Sequence, residues 1–306
     1  MSEHARRELT PSPGRGDPLA ILDARFGQRH ASADIHALEA LFERSRKPEP
    51  ARPLLRMINH MACTGGTLIA RGLNAQPNTL VLSEVDPLSS IQLTTMRSRF
   101  APTDPILLAR VGLFPVSDEV AVEMFQASVD VLLTRLDRQG RGLVLRGHAH
   151  SQFCTEQDWA ARPTLFEMFS RKTSIASVVT VRDPLDSWLS LIENDWRHFD
   201  PFSIDEYARR YHAFLDRHAE LPCFKYENFV NDPDAEMRRM CEALELRYNS
   251  DWRSLISAYR LSGDSGRRGD TIAPRPRREV PDALLEQAGT SSRFVELCDR
   301  LEYHTQ

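Results

Sequence analysis

The amino-acid sequence predicts an α/β fold of three layers, α/β/α, around a central parallel sheet. Short apolar runs recur without polar alternation, helical patterns separate most of them, and ionisable residues gather just past their ends. A strand that is apolar throughout is buried on both faces, as in a parallel sheet covered by helices on each side. Ligands of such sheets bind in the crevice beyond the carboxyl ends of the strands, so these polar residues mark one edge as the place for chemistry.

The strands follow in order. Leu54 to Ile58 is succeeded by Asn59 and His60, and Thr79 to Leu82 by Ser83 and Glu84. Gly142 to Leu145 leads to Arg146, His148 and His150, Ile175 to Val181 to Arg182 and Asp183, and the weaker Pro222 to Tyr226 to Glu227. Helical spacing of apolar residues predicts helices over Thr67 to Ala75, Asp118 to Arg138, Leu165 to Arg171 and Ile204 to His218. Pro184 starts another helix, and Pro233 to Leu244 opens with Asp232 as N-cap and Pro233 at the first helical position. Ahead of the sheet, Ile35, Leu38, Leu41 and Phe42 suggest a modest helix before the link "KPEPARP". Residues 1–18, polar with Pro and Gly, read as a flexible arm, and residues 19–306 as one domain.

Apolar residues make up 41% and charged residues 27%, enough to bury a sizeable core. The net charge of -4 argues against a general nucleic-acid binder, although arginines concentrate between Arg267 and Arg278. Five scattered cysteines without a CxxC pair fit a reducing compartment, and no run nears the roughly 18 apolar residues a membrane span needs. With no secretory leader in "MSEHARRELTPSPGRGDP", the expectation is a soluble cytoplasmic protein, with neither nucleic acid nor membrane as partner.

Between the first strand and its helix lie Thr64, Gly65, Gly66 and Thr67. Glycines let the backbone approach an anion, and the free amides of a helix starting near Thr67 would point at it, with Thr64 and Thr67 adding hydroxyl donors. A packing turn is an equal alternative for this loop alone. The segment does not fit the Walker pattern G-x-x-x-x-G-K-(S/T), and without its lysine or an Asp–Mg²⁺ arrangement a P-loop kinase is disfavoured.

"CTGGTLIARGLNAQPNTLVLSE" resembles the first nucleotide-binding segment, (K/R)-S-G-T-T-L, of the sulfotransferases that use 3′-phosphoadenosine 5′-phosphosulfate (PAPS). The resemblance implies a P-loop-like nucleotide-binding core in which Thr64, Gly65, Gly66 and Thr67 cradle the 5′-phosphosulfate of PAPS as co-substrate, with no metal required. Cys63 stands where the family carries Lys or Arg, so another cation, such as Arg275 or Arg277, is needed, or transfer chemistry is weak or absent. "SVVTVRDPLDSWLSL" resembles the family's 3′-phosphate segment, which assigns that phosphate to Arg182 and Ser190. "GDSGRRGDTIAPRPRR" resembles the closing R-(K/R)-G stretch at Arg267, Arg268 and Gly269, and "FKYENFVNDP" resembles a segment that puts Tyr226 near the adenine.

Transfer to an alcohol needs a base beside the acceptor. Glu84 is the first candidate, and some family members appear to use a glutamate in this area. His148 and His150, two apart on one face of an extended segment, are the alternatives, although a hydrogen-bonding loop residue is the better reading of either. A zinc site at these histidines would need further ligands. The acceptor is read only as a small molecule or carbohydrate with a hydroxyl or amine, set by Phe100 to Val116 and residues 197 to 203. Trp188, Trp196, Phe199 and Phe202 are candidates to line its pocket, though aromatics at helical spacing are more often core. The rival to a sulfotransferase is a PAPS-binding or PAP-binding sensor or partner protein that has lost transfer chemistry.

Overall fold

A computed structural model describes residues 53–91, 101–258, 261 and 272–303. The predicted arm over residues 1–18, the helix around Ile35 to Phe42, and Phe100, Arg267, Arg268 and Gly269 lie outside the described residues.

Five parallel strands form one sheet: β1 (Leu55–His60), β2 (Thr79–Val85), β3 (Gly142–Gly147), β4 (Ile175–Val181) and β5 (Cys223–Lys225), in the spatial order β2-β3-β1-β4-β5. The helices are α1 (Gly66–Asn74), α2 (Pro105–Arg110), α3 (Asp118–Asp137), α4 (Ala149–Phe153), α5 (Leu165–Ser170), α6 (Pro184–Glu193) and α7 (Ile204–Asp216). After β5 come α8 (Tyr226–Asn231), α9 (Pro233–Ala243), α10 (Trp252–Leu255), α11 (Asp282–Thr290) and α12 (Ser292–Arg300).

Strand residues alternate between two cores. Ile58, Val81, Val144 and Val178 pack with α1, α9 and α10, through Leu68, Leu73, Met237 and Trp252. On the other face, Leu55, Met57, Leu143 and Leu145 meet α3 and α5, while Val179 and Val181 meet α6, α7, α11 and α12. This is the predicted three-layer α/β/α sandwich. Among the described residues no helix is long and apolar enough to cross a membrane.

The strands run further than their apolar runs. Pairing of β1 with β4 continues through Asn59 and His60, which sit opposite Val179 and Thr180. Arg146 is likewise inside β3, opposite Ile58. Two sequence expectations are corrected. β5 stops at Lys225, so Tyr226 opens α8 instead of ending a strand. His148 and His150 do not share an extended face, because the chain turns helical at Ala149, making His148 the N-cap of α4 and His150 part of its first turn.

Strand order locates the crevice. From β1 the chain leaves towards the β2 edge, and from β4 it leaves towards β5, so adjacent strands diverge between β1 and β4. Sheets of this kind bind ligands at that divergence.

Candidate active site

The loop after β1 is shaped by two left-handed residues, Cys63 at φ 63° and Gly65 at φ 82°. Gly65 bends the chain so that α1 begins at Gly66, and no side chain caps it. The first backbone bond returning into the loop comes from Leu68, to Gly65 O at 3.0 Å. The amides of Gly66 and Thr67 precede it, and such leading amides have no partner within a helix. The Thr64 hydroxyl, in contrast to the expectation for it, donates to Met61 O at 2.8 Å and closes the bend from within.

Across the divergence, Arg182 follows β4 and reaches the loop. Its Nη1 donates to Cys63 O at 3.2 Å and to Ser190 Oγ at 3.3 Å. Its Nε is buried without a hydrogen-bond partner, and its guanidinium lies 5.3 Å from the centre of the Tyr226 ring. Ser190 arrives one helical stretch later because Asp183 caps α6, accepting from Leu185 N and Asp186 N, and Pro184 occupies the first turn. Its hydroxyl donates to Asp186 O and also accepts from Arg278, at 3.3 Å. To donate to an anion it must turn away from that carbonyl.

Residues 274 to 278 border the same space. Arg277 is held by Asp183 and Asp186, and Arg278 by Glu193. A cavity of about 640 Å³ opens between these groups and the ends of β2 and β3, within the usual range for a small-molecule site.

At its far side Glu84 sits in the left-handed region, φ 58°, where the β2–β3 register shifts between Leu82 and Val85. The bulge aims the carboxylate at Arg146 Nη1, 3.5 Å away. Arg146 also donates to Ser83 Oγ at 2.7 Å and to His60 Nε2 at 2.8 Å. The rings of His148 and His150 stack with centres 5.9 Å apart, and His150 Nε2 meets His198 Nδ1 at 2.8 Å. Trp196 packs edge-on against His150.

A family model described as "Sulfotransferase family" matches residues 147–250. The match covers about a third of the chain, so this stretch is similar to the sulfotransferase family. The matched stretch carries His148, His150, Arg182, Ser190 and Tyr226, and sulfuryl transfer is the chemistry of this family. No curated protein matches the chain significantly.

The predicted pieces Thr64, Gly65, Gly66, Thr67, Glu84, His148, His150, Arg182, Ser190 and Tyr226 all border one cavity. Of the aromatic candidates, Trp196 borders it, whereas Trp188 and Phe199 are core and Phe202 stacks on Trp188. His60, Trp196 and His198 also line it, and for His60 the contact with Arg146 depends on strand order, which sequence spacing does not carry.

Electrostatically the site has two ends. Burial pushes the Cys63 thiol up to about 11, against the opposing pull of Arg182, so Cys63 is neutral and brings no charge to the loop. Burial lowers Arg146 to about 10, with Glu84 opposing, so it remains a cation at neutral pH. His148 is lowered by burial while Glu84 and Asp86 raise it, and His150 falls to about 3 through burial, His148 and His198. Both imidazoles are therefore neutral near pH 7. Among the described residues no group of three or more His, Cys, Asp or Glu is arranged to hold a metal ion.

Proposed function

We propose that this chain transfers a sulfuryl group from PAPS to a hydroxyl or amine of a small-molecule or carbohydrate acceptor. The observation that carries the reading is Arg182, which touches both Ser190, eight positions on, and the loop carbonyl of Cys63, 119 positions back, in one crevice. The buried, unpartnered Nε of Arg182 and the leading amides of α1 fit a ligand with an anion at each end. Arg182 and Ser190 would hold the 3′-phosphate, Gly66 and Thr67 the 5′ end, and Tyr226, beside Gly65, the base. Arg267, Arg268 and Gly269 remain the expected closing contacts.

The donor supplies the sulfuryl group: its sulfur–oxygen bond to phosphate breaks as the acceptor oxygen or nitrogen bonds sulfur and loses a proton. His148 takes that proton. It is neutral near pH 7, it borders the cavity, and the carboxylates of Glu84 and Asp86 favour the imidazolium it becomes. Glu84 is engaged with Arg146, and this places it behind His148 as the second candidate. Arg146 contributes the buried positive charge at the transfer end.

Calorimetry with 3′,5′-ADP tests the donor site. Binding is expected, and Arg182→Ala should weaken it about 10- to 100-fold, the loss of charge-assisted hydrogen bonds. No heat with the wild-type chain would refute the donor assignment. With radiolabelled PAPS and an acceptor panel, His148→Ala should lower turnover by about 10² to 10⁴. The acid limb of kcat/KM should fall below pH 6.5, because the base is lowered from that value.

A second reading, nucleotide binding without transfer, is favoured by the neutral Cys63 thiol. Cys63→Lys separates the two. An enzyme whose charge comes from Arg146 gains little, whereas a degenerate one recovers turnover.

A further inference from the structure

His60 lies at the end of β1, three residues before Cys63, and is buried. Both of its ring nitrogens are in use. Nδ1 faces Met61 O at 2.9 Å, and a carbonyl can only accept, so Nδ1 carries the proton. Nε2 faces Arg146 Nε at 2.8 Å, and a guanidinium can only donate, so Nε2 is the lone-pair acceptor. The two partners dictate a single neutral tautomer.

The ring's flank is equally constrained. A Cβ built on Gly66 would stand 2.5 Å from His60 Cδ2 and Nε2 and 2.6 Å from Cγ, so the imidazole lies against the first residue of α1. Gly66 has no left-handed φ, so what excludes a side chain there is this ring. Arg146 is tied from its other side by Ser83 and Glu84. A continuous line of contacts therefore runs from the bulged end of β2, through Arg146 and His60, to the bend that presents the loop amides.

We propose that His60 is a positioning residue: a neutral imidazole wedged between Gly66 and Arg146, setting the glycine bend and holding the guanidinium behind it to serve the 5′ end of the donor. This rests on the donor assignment above. It also accounts for a loop with no cation of its own, since the Arg146 guanidinium from β3 is held next to the bend through an uncharged ring. Burial and the neighbouring Arg146 charge keep the ring well below its ordinary value, consistent with the neutral form.

The test compares two nucleotides that differ only at the 5′ end. 3′,5′-ADP and adenosine 3′-monophosphate are titrated by calorimetry into wild type, His60→Leu and His60→Gln, with Arg182→Ala alongside. His60→Leu, which removes the acceptor, should weaken 3′,5′-ADP about 10-fold and leave the 3′-monophosphate within about 2-fold, a differential of roughly 1.4 kcal/mol. His60→Gln, whose Oε1 can accept from Arg146, should restore most of the loss. Arg182→Ala should weaken both nucleotides. If wild type binds neither, the donor assignment falls and this inference with it. If wild type binds 3′,5′-ADP while His60→Leu changes neither nucleotide, or weakens both alike, only the role of His60 is overturned. Should His60→Leu fail to fold, ¹⁵N-histidine NMR of the wild-type chain decides. A neutral Nδ1–H tautomer at pH 7 is expected, and an Nε2–H tautomer or an imidazolium refutes the wedge.

Discussion

Gly66 and Gly289 are both helical glycines, and a methyl group would meet different surroundings at each. In an exposed helix interior, Gly→Ala stabilises by about 0.8–1 kcal/mol because it removes backbone freedom from the unfolded chain. At Gly289, exposed in α11, nothing lies within 4 Å of the added Cβ, so Gly289→Ala should raise stability by up to about that amount. At Gly66 the Cβ runs into the His60 ring at 2.5 Å, a side chain hydrogen-bonded through both nitrogens and unable to yield cheaply. Gly66→Ala should therefore lose about 1–3 kcal/mol, the range for overpacking a filled site. Urea denaturation of both variants checks the opposite signs; stabilisation at both positions would mean that His60 moves aside freely.

The N-terminus of α6 positions Ser190 beside Arg182, and three devices act there together. Asp183 caps two amides, Pro184 presets the first turn, and Arg277 ties Asp183 to Asp186. Removing a cap costs about 0.5–2 kcal/mol, whereas a partly exposed ion pair contributes about 0–1 kcal/mol. Asp183→Ala should thus lower the unfolding free energy by about 1–2 kcal/mol and Asp186→Ala by less than about 1. Equal losses in urea titrations would assign the effect to Arg277 instead of the cap. This element was legible in the sequence, because Arg182, Asp183, Pro184 and Ser190 are local in the chain and each has a local physical meaning. So were Asp232 and Pro233 at the start of α9. What spacing could not give is pairing across the sheet. His60 and Arg146 are 86 positions apart and meet only because β1 lies beside β3. The turn of α4 was hidden for another reason: five residues after a strand carry too little periodicity to separate a helix from an extended segment.

Across the whole molecule, buried and half-buried histidines, three of them bordering the cavity, fix how the fold responds to acid. His60, His148, His150 and His218 are all lowered from 6.5, each chiefly by burial. Above pH 6.5 they are neutral in both folded and unfolded chains, so stability is complete there. Below it the unfolded chain binds protons that the folded chain refuses, and stability is lost as pH falls towards each folded value. For His150, lowered to about 3, the loss runs at about 1.4 kcal/mol per pH unit over most of that window. Depressed carboxylates, including Glu167 and Glu206, act in the same direction but only below their ordinary value of 4.5. The interval from pH 6.5 to 5 therefore isolates the histidines. Unfolding free energies from urea titrations should be level from pH 8 to 7 and fall steeply through this interval, and His150→Gln should reduce the slope by about 1.4 kcal/mol per unit. A curve that stays level down to pH 5 would show these imidazoles to be hydrated, and the buried neutral edge beside the loop and the cavity would then not exist as described.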